Sequence, residues 1–100
     1  MIDVQPIRFE EGTAIAVTVR LPKTTLLAVA TEKGYIMCGA LDVGLLNERL
    51  ASREIIAGRA VGVKTIQELL DAPLESVTVT AERLGITAGT TGRDAVRKMF

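Results

Sequence analysis

The sequence predicts an α+β fold: a mixed, mainly antiparallel sheet, made of an early meander and a strand-helix-strand unit, covered by three to four helices. Two observations lead there. The first third of the chain consists of short apolar runs with period-two alternation, separated by turns containing Pro or Gly. Helical spacing of apolar residues begins only at residue 43. Strands therefore come early and helices late, an order that favours α+β over regularly alternating units.

The first strand covers residues 4–9, with Val4, Ile7 and Phe9 loosely spaced around Pro6. Proline has no amide hydrogen for a ladder, which places this segment at a sheet edge. Glu10, Glu11 and Gly12 form a turn. Residues 13–21 are the clearest strand, where Ile15, Val17 and Val19 alternate with Ala14, Ala16 and Thr18. Leu21, Pro22, Lys23 and Thr24 break it, and residues 26–31 are a third strand. Glu32, Lys33 and Gly34 predict a tight hairpin in which Gly34 takes positive φ. Residues 35–40 are apolar or small on both faces, the pattern of a central strand covered on both sides.

Asp42 is the expected N-cap of an amphipathic helix over residues 43–52. Val43, Leu46 and Leu50 recur at i, i+3 and i+7, with Leu45 alongside. Gly44 in its first turn costs about 1 kcal/mol relative to Ala and leaves room for close packing. Residues 55–63 return as a strand interrupted by Gly58 and Gly62. Thr65 and Glu68 form a capping box, each side chain reaching the other's amide, ahead of Ile66, Leu69 and Leu70.

Residues 74–84 carry two patterns. Val77, Thr78, Val79 and Thr80 alternate like a strand, whereas Leu74, Val77, Ala81 and Leu84 fit a helical stripe. Pro73 suits the first helical position and Gly85 the residue beyond the end, so the helix is the preferred assignment. Ile86, Thr87 and Ala88 follow as a short strand. Thr91 opens a last helix whose apolar face is Ala95, Val96, Met99 and Phe100.

One hundred residues without repeat, linker or low-complexity segment make a single domain, 1–100. A chain of this size buries roughly 65% of its unfolded surface, enough for a real core. Its apolar content of 48% is mostly aliphatic, with one Tyr, two Phe and no Trp. That supply exceeds what one small core absorbs, so a homo-oligomer is expected. Twelve basic and twelve acidic residues cancel, and no run of like charge occurs. No nucleic acid and no membrane surface is therefore expected as a partner, since both need a basic footprint. The absence of His removes Ser–His and Cys–His chemistry and His ligands for zinc. A single Cys leaves no intrachain disulfide and no CxxC site, so neither metal nor other cofactor is expected. With no secretory pattern at Met1, Ile2, Asp3, Val4 and Gln5, the cytoplasm is the expected location.

Four places are candidates for chemistry. Cys38 stands before a helix start, where the dipole favours a thiolate, but buried cysteine is also a common small filler. Asp42 is a polarising group for a ligand or simply the helix cap. Gly89, Thr90, Thr91, Gly92 and Arg93 offer amides, hydroxyls and a guanidinium to an anion, or form a glycine turn capped by Thr91. The loop lacks the Gly-Lys-Ser/Thr ending of a P-loop. Arg59, between Gly58 and Gly62 and followed by Lys64, is a charge in an otherwise apolar strand and needs water, a carboxylate or a ligand. Asn47, beside the apolar stripe of its helix, is either a pocket donor or a cap for a neighbouring backbone group.

Lys33 to Gly39 (KGYIMCG) followed by Leu41 and Asp42, the stretch IAGRAVGVKT at 56–65, Leu84, Gly85 and Ile86, and Gly89 to Arg93 together resemble the YunC-like family. This is a group of short proteins of bacilli and archaea treated as a domain of unknown function. The likeness spans nearly the whole chain. It implies a cytosolic, single-domain α+β protein and brings no activity, cofactor or catalytic residue. The expected function is thus a homo-oligomeric binding or interaction domain. The alternative is an enzyme or sensor for a small anionic metabolite, with a site around Cys38, Asp42, Arg59 and the 89–93 loop.

Overall fold

The computed structural model describes residues 1–40, 43–48 and 51–100. Asp42, expected as a helix cap and site residue, lies outside the described residues, as does Leu50. Six strands form one sheet in chain order: β1 Ile2–Phe9, β2 Gly12–Leu21, β3 Thr24–Ala30, β4 Gly34–Met37, β5 Ile56–Arg59 and β6 Ser76–Val77. Neighbours are antiparallel except β4 and β5, which are parallel. Helix α1, Val43–Glu48, lies in the connection between those two. The expected meander and strand-helix-strand unit are both present. Helices α2 Ile66–Asp71, α3 Val79–Arg83 and α4 Gly92–Arg97 follow.

Pro6 sits on the edge strand, as its chemistry requires. Met1 and Arg20 exchange both backbone hydrogen bonds, at 2.8 and 3.2 Å. Counting from that pair, Pro6 faces Ile15 at a non-hydrogen-bonded position, so its missing N–H is on the outer edge. No ladder bond to β2 is lost.

The main core lies on one face of the sheet. Ala14 and Ala16 from β2, Leu27 and Val29 from β3 and Ile36 from β4 meet Leu69, Leu70, Ala81, Ala95, Val96 and Met99 from α2, α3, α4 and the residues after α4. Small residues set how closely these layers approach. A Cβ on Gly92 would lie 2.2 Å from the Leu69 carbonyl oxygen and 2.8 Å from Ile36 Cδ1. A smaller cluster of Val43, Leu46 and Ala57 packs with Tyr35, Met37 and Ile55 on the opposite face. β4 is covered on both sides, as its composition predicts.

Several local expectations are corrected. Gly34 opens β4 and does not take positive φ. Its missing Cβ would lie 2.6 Å from the Ile56 carbonyl oxygen, so the glycine serves the close parallel pairing with β5. The helix expected over 74–84 starts only at Val79, because Ser76 and Val77 pair with Arg59 and Gly58 and Thr78 then caps the helix. Pro73 bridges Thr91 instead of opening a helix. Gly85, at φ +83°, does stand beyond the helix end. Residues 86–88 form no strand, although Ile86 is fully buried. β5 ends at Arg59, well short of residue 63. Glu68 closes its capping box one residue early, accepting from the Lys64 amide at 2.7 Å while Thr65 accepts from the Glu68 amide.

Candidate functional site

Arg59 and Cys38 lie on opposite faces of the sheet. Arg59 is in register with Met37 and projects on the α1 side. Cys38 is buried in the main core, where its Sγ accepts from the Leu27 amide at 3.5 Å. That burial matches the filler reading of the cysteine. The two residues do not share a cleft.

Arg59 lines an open cleft of about 580 Å³ together with Gly39, Asn47, Glu75 and Ser76. Its Nη1 is 3.5 Å from a Glu75 carboxylate oxygen. Among the described residues, its Nε is the buried side-chain polar atom that lacks a hydrogen-bond partner. Asn47 does not aim its amide oxygen at the cleft alone: Oδ1 accepts from the Val79 amide at 3.0 Å, holding α1 to the start of α3.

The 89–93 loop is occupied by structural bonds. The Thr90 carbonyl accepts from the Leu74 amide, and the Gly92 amide donates to Ala72. Thr91 caps α4 by accepting from the Asp94 amide at 3.3 Å. Arg93 pairs with Asp71 at 2.8 Å. That hydrogen bond, with a second from Gln67, holds the Asp71 carboxyl below the usual carboxylate range. Arg97, at the other end of α4, does the same for Glu11. The loop therefore clasps α2, the 73–74 segment and α4 together. Among the described residues, no cluster of His, Cys, Asp or Glu could hold a metal.

The largest unexplained feature is the other face of β1–β3. Register puts Ile2, Val4 and Pro6 of β1 beside Val19, Val17 and Ile15 of β2, and these beside Leu26, Ala28 and Ala30 of β3. Every one of these side chains is apolar, and the same rows end at Arg8 and Thr13. The bulkier row of β2 thus faces away from α2, α3 and α4, and the Ala14–Ala16 row faces them. Ile2, Val4 and Ile15 are 65%, 60% and 42% exposed. Single exposed valines are ordinary in strands, but a contiguous apolar sheet face is not. The alternation in residues 13–19 shows both rows; what points to the inward one is that alanines admit close helices.

Thr78 is a second residue whose role the sequence does not announce. Buried at 2% exposure, its Oγ1 accepts from the Ala57 and Ala81 amides and donates to the Ile55 carbonyl. One hydroxyl thus caps α3 and ties it to β5.

Residues 37–99 match the family model of a domain of unknown function, DUF1805. The chain belongs to the DUF1805 family. It is 63% identical, over its full length and 99% of the relative's, to the uncharacterized protein YunC of Bacillus subtilis (strain 168). Its fold is similar to the crystal structure of a protein of unknown function, TA1206 from Thermoplasma acidophilum, with a TM-score of 0.89 and 28% identity. That likeness covers all of this chain and 94% of the other, so the β1–β3 meander ahead of the matched DUF1805 residues belongs to the shared architecture. Among the described residues, no helix is long and apolar enough to cross a membrane.

Proposed function

We propose that this DUF1805 protein is a cytosolic homo-oligomeric binding domain with no catalytic chemistry of its own. The reading is carried by one observation: among the described residues, Ile2, Val4 and Ile15 stay exposed on the apolar face of β1 and β2. It accounts for the aliphatic excess that one small core leaves over. The separation of Cys38 from Arg59, and the structural engagement of the 89–93 loop, remove support for a composite catalytic site. Because association stabilises by mass action, the thermal midpoint is expected to rise with protein concentration. A midpoint independent of concentration contradicts the reading.

A second reading, a binding site for a small anionic ligand, is supported by the buried, unpartnered Nε of Arg59 in its cleft. Phosphate or a small carboxylate at one hundred times its Kd would stabilise the fold by about 2.7 kcal/mol. The effect is expected to vanish in Arg59→Gln; no stabilisation of the unaltered chain by any such anion ends this reading.

A further inference from the structure

We infer that the cleft beside Arg59 binds a small zwitterion of the α-amino-acid type, its carboxylate held by Arg59 and its ammonium by Glu75. This rests on the small-anion reading of the same cleft and adds the ligand class and the second contact. Three features select such a ligand.

The first is unspent bonding capacity. Arg59 Nη1 is 3.5 Å from Glu75 Oε1, longer than an ordinary N–H···O hydrogen bond. Among the described residues, the guanidinium makes no hydrogen bond at all. Its Nε is enclosed, so the two Nη groups are the end of the fork that a ligand meets. Nη2 lies 3.7 Å from the point where a Gly39 side chain would begin, and the glycine leaves that nitrogen uncovered. Two parallel N–H donors match the two oxygens of a carboxylate. The second is charge balance. Among the described residues that line the cleft, Arg59 and Glu75 carry the charges, one of each sign. A phosphate dianion on Arg59 would lie against the Glu75 carboxylate, and like charges repel at that range. A zwitterion satisfies both groups: its carboxylate becomes the close partner of Arg59, and its ammonium gives Glu75 a new one. An α-amino acid carries the two charges on adjacent carbon and nitrogen, which suits the short span between Arg59 and Glu75. The backbone fixes that span, because the Glu75 amide donates to the Arg59 carbonyl at 2.7 Å and Ser76 pairs with Arg59 across β5 and β6. The third is room with neutral polar groups. The cleft of about 580 Å³ falls in the range of small-molecule sites. Gly39 and Gly44 line it without side chains. The Ser76 hydroxyl and the Asn47 side chain line it too, and with Oδ1 engaged by Val79 the Asn47 Nδ2 has no partner among the described residues. Such groups orient a ligand without disturbing the charge balance.

The test is titration calorimetry of the whole chain with each common α-amino acid in turn, with the matching acid that lacks the amine (propionate for alanine), and with inorganic phosphate. At least one amino acid is expected to bind at least about tenfold more tightly than its amine-free acid, the margin of one charge-assisted hydrogen bond. Glu75→Gln is expected to remove that preference while keeping the affinity for the amine-free acid. Glu75 is exposed, so this variant is expected to fold with unchanged far-UV circular dichroism. Arg59→Gln is expected to abolish binding of both molecules. If phosphate or an amine-free acid binds but no amino acid binds better, or if Glu75→Gln keeps the preference, the small-anion reading survives and this ligand class is wrong. If none of the three kinds of probe binds, or if Arg59→Gln binds as the unaltered chain does, both readings of the cleft fail.

Discussion

Val4 and Val17 are paired across β1 and β2 on the face of the sheet opposite α2, α3 and α4. The pair is at a non-hydrogen-bonded position, counted from Met1 and Arg20, where opposed side chains approach most closely. One residue along, Gln5 pairs with Ala16, which is 3% exposed and faces the helices. Adjacent residues of β2 thus point to opposite faces, Ala16 into the main core and Val17 away from it.

Ala16→Val would improve strand propensity while adding two methyl groups beneath closely packed helices. Overpacking wins at such a position. The variant is expected to lose about 1–3 kcal/mol in urea denaturation, and a gain in stability would contradict the assignment of this row to the core.

Thr78→Val removes the hydroxyl that serves Ile55, Ala57 and Ala81 while keeping the side chain's shape. Buried backbone groups are then left unpaired and α3 loses its cap. A loss of about 2–4 kcal/mol is expected, with Thr78→Ser retaining most of the stability. A larger loss in Thr78→Ser than in Thr78→Val would show that the methyl group, and not the hydroxyl, holds this junction.

Cys38 is expected to resist a thiol reagent in the native protein and to react fully in denaturant, because its sulfur is enclosed in the main core. Rapid labelling of the folded chain would restore it as a reactive group.

Acid stability follows from two surface pairs. Arg97 lowers the pKa of Glu11, and Arg93 with Gln67 lowers that of Asp71. A group with a lowered folded pKa releases its proton more readily when folded, so its contribution is present above the ordinary carboxylate pKa of about 4 and is lost as pH falls through the folded value. The urea midpoint is expected to drop below about pH 4, and less steeply in the double variant Glu11→Gln, Asp71→Asn. Added salt should reduce the same contribution, since both pairs are exposed. An identical pH slope in the double variant would remove these pairs from the account.

Much of the fold was legible in local patterns. Pro6 marked the edge, the alternation in residues 13–21 marked β2, and Thr65 and Thr91 marked helix starts that the structure retains. What was not legible depended on partners distant in sequence. Val77 pairs with Gly58 across the sheet, and that pairing overrides the helical stripe through Leu74, Val77, Ala81 and Leu84. Gly34 answers to Ile56, not to its own turn. Asn47 was legible as one of two alternatives, and its bond to the Val79 amide selects the cap. The aliphatic excess signalled leftover apolar surface, but composition carries no direction. Only the strand register placed that surface on one face.

Light scattering on the unaltered chain at micromolar concentration reads its self-association without any substitution. A homo-oligomer gives a multiple of the 10.7 kDa of one chain. A clean 10.7 kDa species persisting to high micromolar concentration would contradict it.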